Sequence, residues 1–156
     1  LGDNILLGSG LLNRFMELVQ GAYEQAVILG YPVSDVSKYG VAEFDNDKKL
    51  LRVIEKPRSS ESNLAVVGLY KFGPKAFELT KKLTKSERGE YEIADLINFY
   101  IMEDRCDLVR CNVATDFWLD TGTFGALVSA SNFVRELTNS GLRQVGNLGN
   151  QHEILL

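Results

Sequence analysis

The sequence is poor in the residues that carry most nucleophilic and metal chemistry. Its 156 residues include one histidine, His152, two cysteines, Cys106 and Cys111, and one tryptophan. A single histidine near the end of the chain excludes Ser-His-Asp and Cys-His catalysis. Two cysteines five positions apart, far from that histidine, do not make a zinc site. With no Asn-x-Ser/Thr sequon in the chain, they read as reduced thiols. Long apolar runs are also missing. The run from Leu64 to Leu69 is far short of the ~20 residues that cross a bilayer, and no charged-then-apolar leader opens the chain. The expectation is a soluble, cytoplasmic protein. Cationic runs are absent too, and 17 Lys and Arg against 21 Asp and Glu give a net charge of −4. Nucleic acid and anionic membranes are therefore excluded as partners.

What is present is globular. Hydrophobic residues make up 45% and charged residues 24%, and a chain of this length buries roughly 68–70% of its unfolded surface without disulfide or metal staples. The first residue is Leu1, which suggests an internal start. Leu12, Phe15, Met16, Val19 and Tyr23 share one helical face over residues 11–23. Gln25 to Val33 is a short apolar run suited to a strand buried on both faces. Tyr39 to Phe44 and Leu50 to Glu55 flank a polar stretch and read as a β-hairpin that ends at Pro57. After a Ser-rich loop, Leu64 to Phe72 is the next strand, and Gly73-Pro74 opens a helix with Ala76, Phe77, Thr80 and Leu83 on one face.

The strongest helical pattern runs from about Glu90 to Arg105, with Ile93, Leu96, Ile97, Tyr100 and Ile101 in one stripe. The acidic residues at its start read as complements of the helix dipole. Asp107 to Val113 is a further strand, and a last helix follows Gly122 with Leu127, Ser131, Val134 and Leu137 inward. Residues 139–156 read as a loosely ordered tail after a domain over 1–138. Strands alternate with helices, so the class is α/β, with a mixed, mainly parallel sheet and one hairpin.

Gly8-Ser9-Gly10 lacks the third glycine, the lysine and a preceding strand of a phosphate loop, and reads as a turn. Asp3, Asp120 and Lys56 each stand at the end of an apolar run, where α/β folds place ligands. Each also has a plain reading: Asp3 as a turn or cap residue, Asp120 as the N-cap of the final helix, Lys56 as a solvated strand end.

Six short motifs stand in a telling order: Leu1-Gly2-Asp3-Asn4, Lys38-Tyr39-Gly40-Val41, Glu55-Lys56-Pro57, Val67-Gly68-Leu69-Tyr70, Arg88-Gly89-Glu90-Tyr91-Glu92-Ile93-Ala94-Asp95 and Trp118-Leu119-Asp120-Thr121-Gly122. In that order and spacing, over about residues 1–137, the chain resembles the sugar-1-phosphate nucleotidylyltransferases. The resemblance implies a Rossmann-like nucleotidyltransferase fold. It also implies transfer of a nucleoside monophosphate from dTTP or UTP to a hexose 1-phosphate such as glucose 1-phosphate, with pyrophosphate released, in a homo-oligomer. By the same resemblance Asp3 and Asp120 match metal-binding aspartates for Mg²⁺, and Lys56 matches the lysine on the sugar phosphate. Glu55 matches the acceptor for sugar hydroxyls, and Tyr39, Gly40, Val67 and Trp118 match positions that line the sugar pocket. Glu55 and Lys56 alternate in an extended strand, so a twist or bulge before Pro57 is required for both to serve one ligand.

The family's opening strand, its G-x-G-x-R loop and the lysine that follows do not occur in the sequence, and Val67 and Ala94 replace common threonines. The chain thus looks like the C-terminal part of such an enzyme, inactive by itself. A non-catalytic sugar-phosphate-binding or oligomerisation module is the rival reading.

Overall fold

The computed structural model describes residues 2–8, 10–141 and 154–155. In chain order the elements are β1 (Asn4–Gly8), α1 (Leu11–Gly21), β2 (Ala26–Pro32), a 3-10 turn (Val36–Lys38), β3 (Gly40–Phe44), β4 (Leu50–Glu55), β5 (Leu64–Lys71), α2 (Ala76–Thr80), α3 (Ile93–Met102), β6 (Cys106–Arg110), β7 (Asp116–Asp120), α4 (Phe124–Asn139) and β8 (Ile154–Leu155). The chain forms two compact units, one of Leu1–Leu12 with Asn112–Leu156, the other of Asn13–Cys111.

The Asn13–Cys111 unit is built on a five-stranded sheet of order β4-β3-β5-β2-β6. β2 lies inside it with Ala26, Val27, Ile28 and Leu29 fully buried, as its unbroken apolar run demands. It pairs antiparallel with β5, from Val27↔Lys71 to Pro32↔Leu64, and parallel with β6, from Ala26↔Cys106 to Gly30↔Arg110. The β3–β4 hairpin forms where the sequence places it, Gly40 opposite Glu55 and Phe44 opposite Leu50. Its turn is closed by Asp45, whose Oδ1 accepts the amides of Asp47 and Lys49 at 3.0 and 2.8 Å, and by Lys48 with φ at +64°.

The sheet is mixed, but the expected parallel predominance is not found: among the described pairings of this unit only β2–β6 is parallel. The 45–49 link is too short for the helical crossover that parallel neighbours need, so β3 and β4 form a hairpin, and β5 joins the other side of β3, antiparallel to it.

α3 covers one face of the sheet, with Ala94 and Ile97 in a core shared with Ile28, Ala42, Val53, Leu64 and Val66. Leu96 and Tyr100 join Ala26 and Leu79 in a second cluster, and the Tyr100 hydroxyl donates to the Gly73 carbonyl at 2.9 Å. α2 is a single short helix that buries Leu79 and leaves Phe77 exposed, so the face expected from Ala76, Phe77 and Thr80 is not the inner one. α3 is shorter at both ends than its pattern, and Ile93 is exposed. The turn after α1 is held by Lys71, whose Nζ donates to the carbonyls of Ala22, Tyr23 and Gln25. Burial of Lys71 lowers its pKa. α1 itself buries Leu11 and Phe15, while Met16 and Tyr23 of its expected face are exposed.

In the other unit, β1 is the middle strand between β7 and β8, antiparallel to both. Its register with β7 runs from Asn4↔Asp120 to Gly8↔Asp116. A strand therefore does precede the Gly8-Ser9-Gly10 motif, against the reading that none does, while Gly2 and Asp3 form a turn as read; Ser9 lies outside the described residues. Asp116 is fully buried and accepts the amide of Asn112 at 2.7 Å, which closes the turn before β7. α4 is capped by Thr123, whose Oγ1 accepts from the Ala126 amide at 3.2 Å. Its inner face is Ala130 with Phe133, Val134 and Leu137; the Phe133 ring meets Phe117 at 5.1 Å, while Leu127 and Ser131 face out. Of the expected tail, 142–153 and 156 lie outside the described residues, and Ile154–Leu155 pairs with β1.

Candidate functional site

In the Asn13–Cys111 unit the candidates gather at the end of β4. The Lys56 backbone leaves the strand with φ at +43°, and its amide donates to the Tyr39 carbonyl at 2.9 Å. This left-handed residue is the break in alternation that Glu55 and Lys56 require. Lys56 is exposed and Pro57 behind it is buried. Gly40 stands opposite Glu55, and a Cβ on Gly40 would lie 3.2 Å from Glu55 Oε2, so a glycine leaves that carboxylate its room. Val67 is fully buried in β5 opposite Leu29, and Tyr39 is half-buried.

Glu55 has partners that the motifs did not single out. Arg88 bridges Glu55 and Glu92, at 3.5 Å from each, and reaches Glu90 at 2.7 Å. Glu92 is buried at the N-cap of α3, yet its side chain makes no cap hydrogen bond and instead accepts from the Ser86 hydroxyl at 2.8 Å. It keeps the place at the helix start that the sequence reading gave it, and in addition serves the Arg88 bridge. No helical spacing marks the pair, because Arg88 lies in the turn before α3, which begins at Ile93. Burial, with Glu92 nearby, raises the Glu55 pKa above the usual 4.5. Burial, then Glu55, pushes the Tyr70 phenol up to about 12.

In the other unit the two aspartates meet. The Asp3 carbonyl accepts from the Thr121 amide at 2.7 Å and from its hydroxyl at 2.8 Å, which ties Asp3 to the end of β7. Asp120 Oδ1 accepts the Gly122 amide at 3.0 Å, so Asp120 closes a local turn; the N-cap of α4 is Thr123, not Asp120 as the plain reading had it. A Cβ on Gly122 would lie 3.2 Å from both Asp3 Oδ2 and Asp120 Oδ1. Those two oxygens are therefore at most 6.4 Å apart, twice that distance, across a gap that a Cβ would tighten. Trp118 Nε1 donates to Asn4 Oδ1 at 2.5 Å, and Asn4 Nδ2 donates to Asp3 Oδ1 at 2.8 Å.

Two carboxylates facing one gap fit Mg²⁺, which is usually held by one or two carboxylates with substrate phosphates completing the shell. Among the described residues no third His, Cys, Asp or Glu joins them. A separate cleft of about 830 Å³, lined in part by Phe44, Arg52, Ser60, Asn63 and Arg110, contains none of the candidate residues. Its Ser60 hydroxyl and Arg52 both bind Glu43.

Comparison with known proteins gives the same direction. Residues 1–136 match the family described as "Nucleotidyl transferase". The chain is 41% identical over 157 residues to the glucose-1-phosphate thymidylyltransferase of Mycolicibacterium smegmatis, covering 99% of this chain and 51% of that protein. It is 42% identical over 140 residues to that of Mycobacterium tuberculosis (88% and 46% covered). The chain thus spans about half the length of the curated relatives it matches.

Among solved structures, a Bacillus anthracis protein in complex with sucrose, described as a glucose-1-phosphate thymidylyltransferase, superposes with a TM-score of 0.73 at 32% identity, over 86% of this chain and 52% of that one. A UDP-glucose pyrophosphorylase bound to UDP-glucose is 24% identical with the same TM-score, over 87% and 54%, and shares the fold. The mixed sheet with flanking helices is the Rossmann-like α/β fold of these neighbours, and the chain belongs to the nucleotidyl transferase family.

Proposed function

We propose that the protein transfers a nucleoside monophosphate from dTTP or UTP to glucose 1-phosphate, releasing pyrophosphate. The observation that carries this reading is the convergence of Asp3 and Asp120 on the Gly122 gap. The names of its relatives supply the substrate class.

A sugar-phosphate oxygen attacks the α-phosphorus of the nucleotide in line, the bond to the bridging oxygen of the β-phosphate breaks, and that oxygen leaves with pyrophosphate. The sugar phosphate is already ionised at neutral pH and needs no general base, which agrees with a chain whose one histidine lies near its end. What the reaction needs is cancellation of negative charge. The net charge of −4 cannot supply that, so the cations must be local.

Lys56, exposed at the end of β4, places its ammonium on the sugar phosphate. Glu55 accepts from sugar hydroxyls, held in place by Arg88. Within the Asn13–Cys111 unit, Tyr39, Gly40 and Val67 would line the sugar; Trp118 keeps its family role as a sugar-pocket residue in its own unit. Asp3 and Asp120 would hold Mg²⁺, which when bound neutralises phosphate charge.

The test, run on a protein of the relatives' full length, of which this chain spans about half, is pyrophosphate release with glucose 1-phosphate, Mg²⁺ and dTTP or UTP. Release that needs all three components is expected. Tight binding of glucose 1-phosphate without release from either nucleotide would overturn the reading in favour of a non-catalytic sugar-phosphate-binding module.

A further inference from the structure

Asn4 is nearly buried, 9% exposed, and uses both ends of its amide. Oδ1 accepts the indole N–H of Trp118 at 2.5 Å, and Nδ2 donates to Asp3 Oδ1 at 2.8 Å. The orientation of the amide is forced by its neighbours: an indole nitrogen only donates and a carboxylate only accepts. The strand register explains why these groups meet. Asn4 faces Asp120 directly, and Trp118 lies opposite Leu6, so Asn4 and Trp118 are diagonal neighbours on one face of the β1–β7 pair.

The consequence falls on Asp3. With Oδ1 engaged by the amide and the backbone carbonyl tied to Thr121, its carboxylate is held by two separate anchors, and Oδ2 is the oxygen that faces the Gly122 gap. No other standard side chain of this size offers one donor and one acceptor in that order. Leucine has the shape and neither group; aspartate would face Asp3 with a second carboxylate.

We infer that Asn4 is a positioning residue that fixes Asp3 toward its cation and links that cation site to the Trp118 indole. This rests on the reading of Asp3 and Asp120 as metal ligands. Outer-shell hydrogen bonds of this kind typically change metal affinity by about 10- to 100-fold.

Trp118 is the sole tryptophan, so ¹⁵N-labelled protein gives one indole N–H resonance to follow while Mg²⁺ is added. The indole peak and the Asn4 side-chain amide peaks should move saturably together. Asn4→Leu should weaken Mg²⁺ about 10-fold or more, by calorimetry, and leave the indole peak unresponsive. Mg²⁺ binding within twofold of wild type, or an indole that still responds in Asn4→Leu, overturns the inference.

If that variant does not fold, Trp118→Phe removes only the indole end. There the Asn4 amide peaks must still respond to Mg²⁺, and silence overturns the inference. Asp120→Asn separates the two layers of the argument, since it keeps Asn4 and removes a ligand. Mg²⁺ bound by Asp120→Asn as by wild type, or no Mg²⁺ bound by wild type, defeats the metal reading itself and the inference with it.

Discussion

The side-chain amide of Asn98, on α3, stands against Val53 as a neighbouring strand would. The Val53 amide donates to Asn98 Oδ1 and Asn98 Nδ2 donates to the Val53 carbonyl, each at 2.8 Å. β4 is an edge strand of its five-stranded sheet, and this pair closes the edge at the position where Val53 is buried. Asn98→Leu keeps the shape and strands both backbone groups. It should cost about 2–6 kcal/mol in urea unfolding, the sum of two unpaired groups at about 1–3 kcal/mol each. A loss under about 0.5 kcal/mol would show that water takes the place of the amide.

Lys56 combines an exposed ammonium with a left-handed backbone, so its role and its comfort in the fold pull apart. Lys56→Ala should lower kcat by about 100-fold with the melting temperature unchanged. Lys56→Gly should lose as much activity and gain up to about 1 kcal/mol of stability, because glycine adopts this φ without strain. Ile97→Ala, fully buried on α3, should do the reverse, costing about 2–5 kcal/mol while the folded fraction keeps its turnover. Activity within twofold of wild type in Lys56→Ala would remove the phosphate role.

Glu55 carries a pH signature. Burial and the Glu92 carboxylate raise its pKa in the fold above the ordinary 4.5. A folded state that holds its proton more tightly than the unfolded chain is favoured below the ordinary value, and loses that advantage as pH rises through the raised one. Glu55→Gln does not ionise. Its melting temperature relative to wild type should therefore climb between pH 4 and pH 8, while its KM for glucose 1-phosphate rises. A difference that stays flat with pH would mean that Arg88 fully offsets the burial.

Gly122→Ala tests the gap between the aspartates. Its new Cβ would stand 3.2 Å from each carboxylate oxygen, tight enough that these oxygens must give by a few tenths of an ångström. The position is exposed and its φ is not left-handed, so stability should stay within about 0.5 kcal/mol. The Mg²⁺ concentration for half-maximal activity should rise several-fold. An unchanged Mg²⁺ requirement would place the cation elsewhere.

The β-hairpin, the buried β2 and the α3 stripe were legible because their signals are local: alternation, an unbroken apolar run and a helical period over adjacent residues. β1 and β7 were not. Each has five residues, and what makes them strands is pairing between Asn4 and Asp120, which no window along the sequence contains. α4 was placed, but its inner face was assigned to Leu127 rather than Ala130, because the small residue is the one that lets the helix approach β7.

At the site, Asp3, Asp120, Glu55 and Lys56 were visible as motif residues. Arg88 has no role in the sequence reading and Glu92 only that of a dipole complement, since only the fold brings Arg88 to Glu55 and Glu92. The left-handed turn at Lys56 was anticipated as a need, not located as a conformation.

The pairing of β1 with β7 also sets an order of events during synthesis. The chain leaves its smaller unit after Leu12 and returns to it at Asn112, so Asn13–Cys111 is complete in sequence before the partner of β1 exists. At about 5–20 residues per second, Asp3 waits roughly 6 to 23 s for Asp120 to be made. The cation site is thus completed later than the Glu55–Arg88 cluster. A nascent chain stalled before Trp118 would hold the Glu55–Arg88 cluster with no β7 for Asp3 to meet.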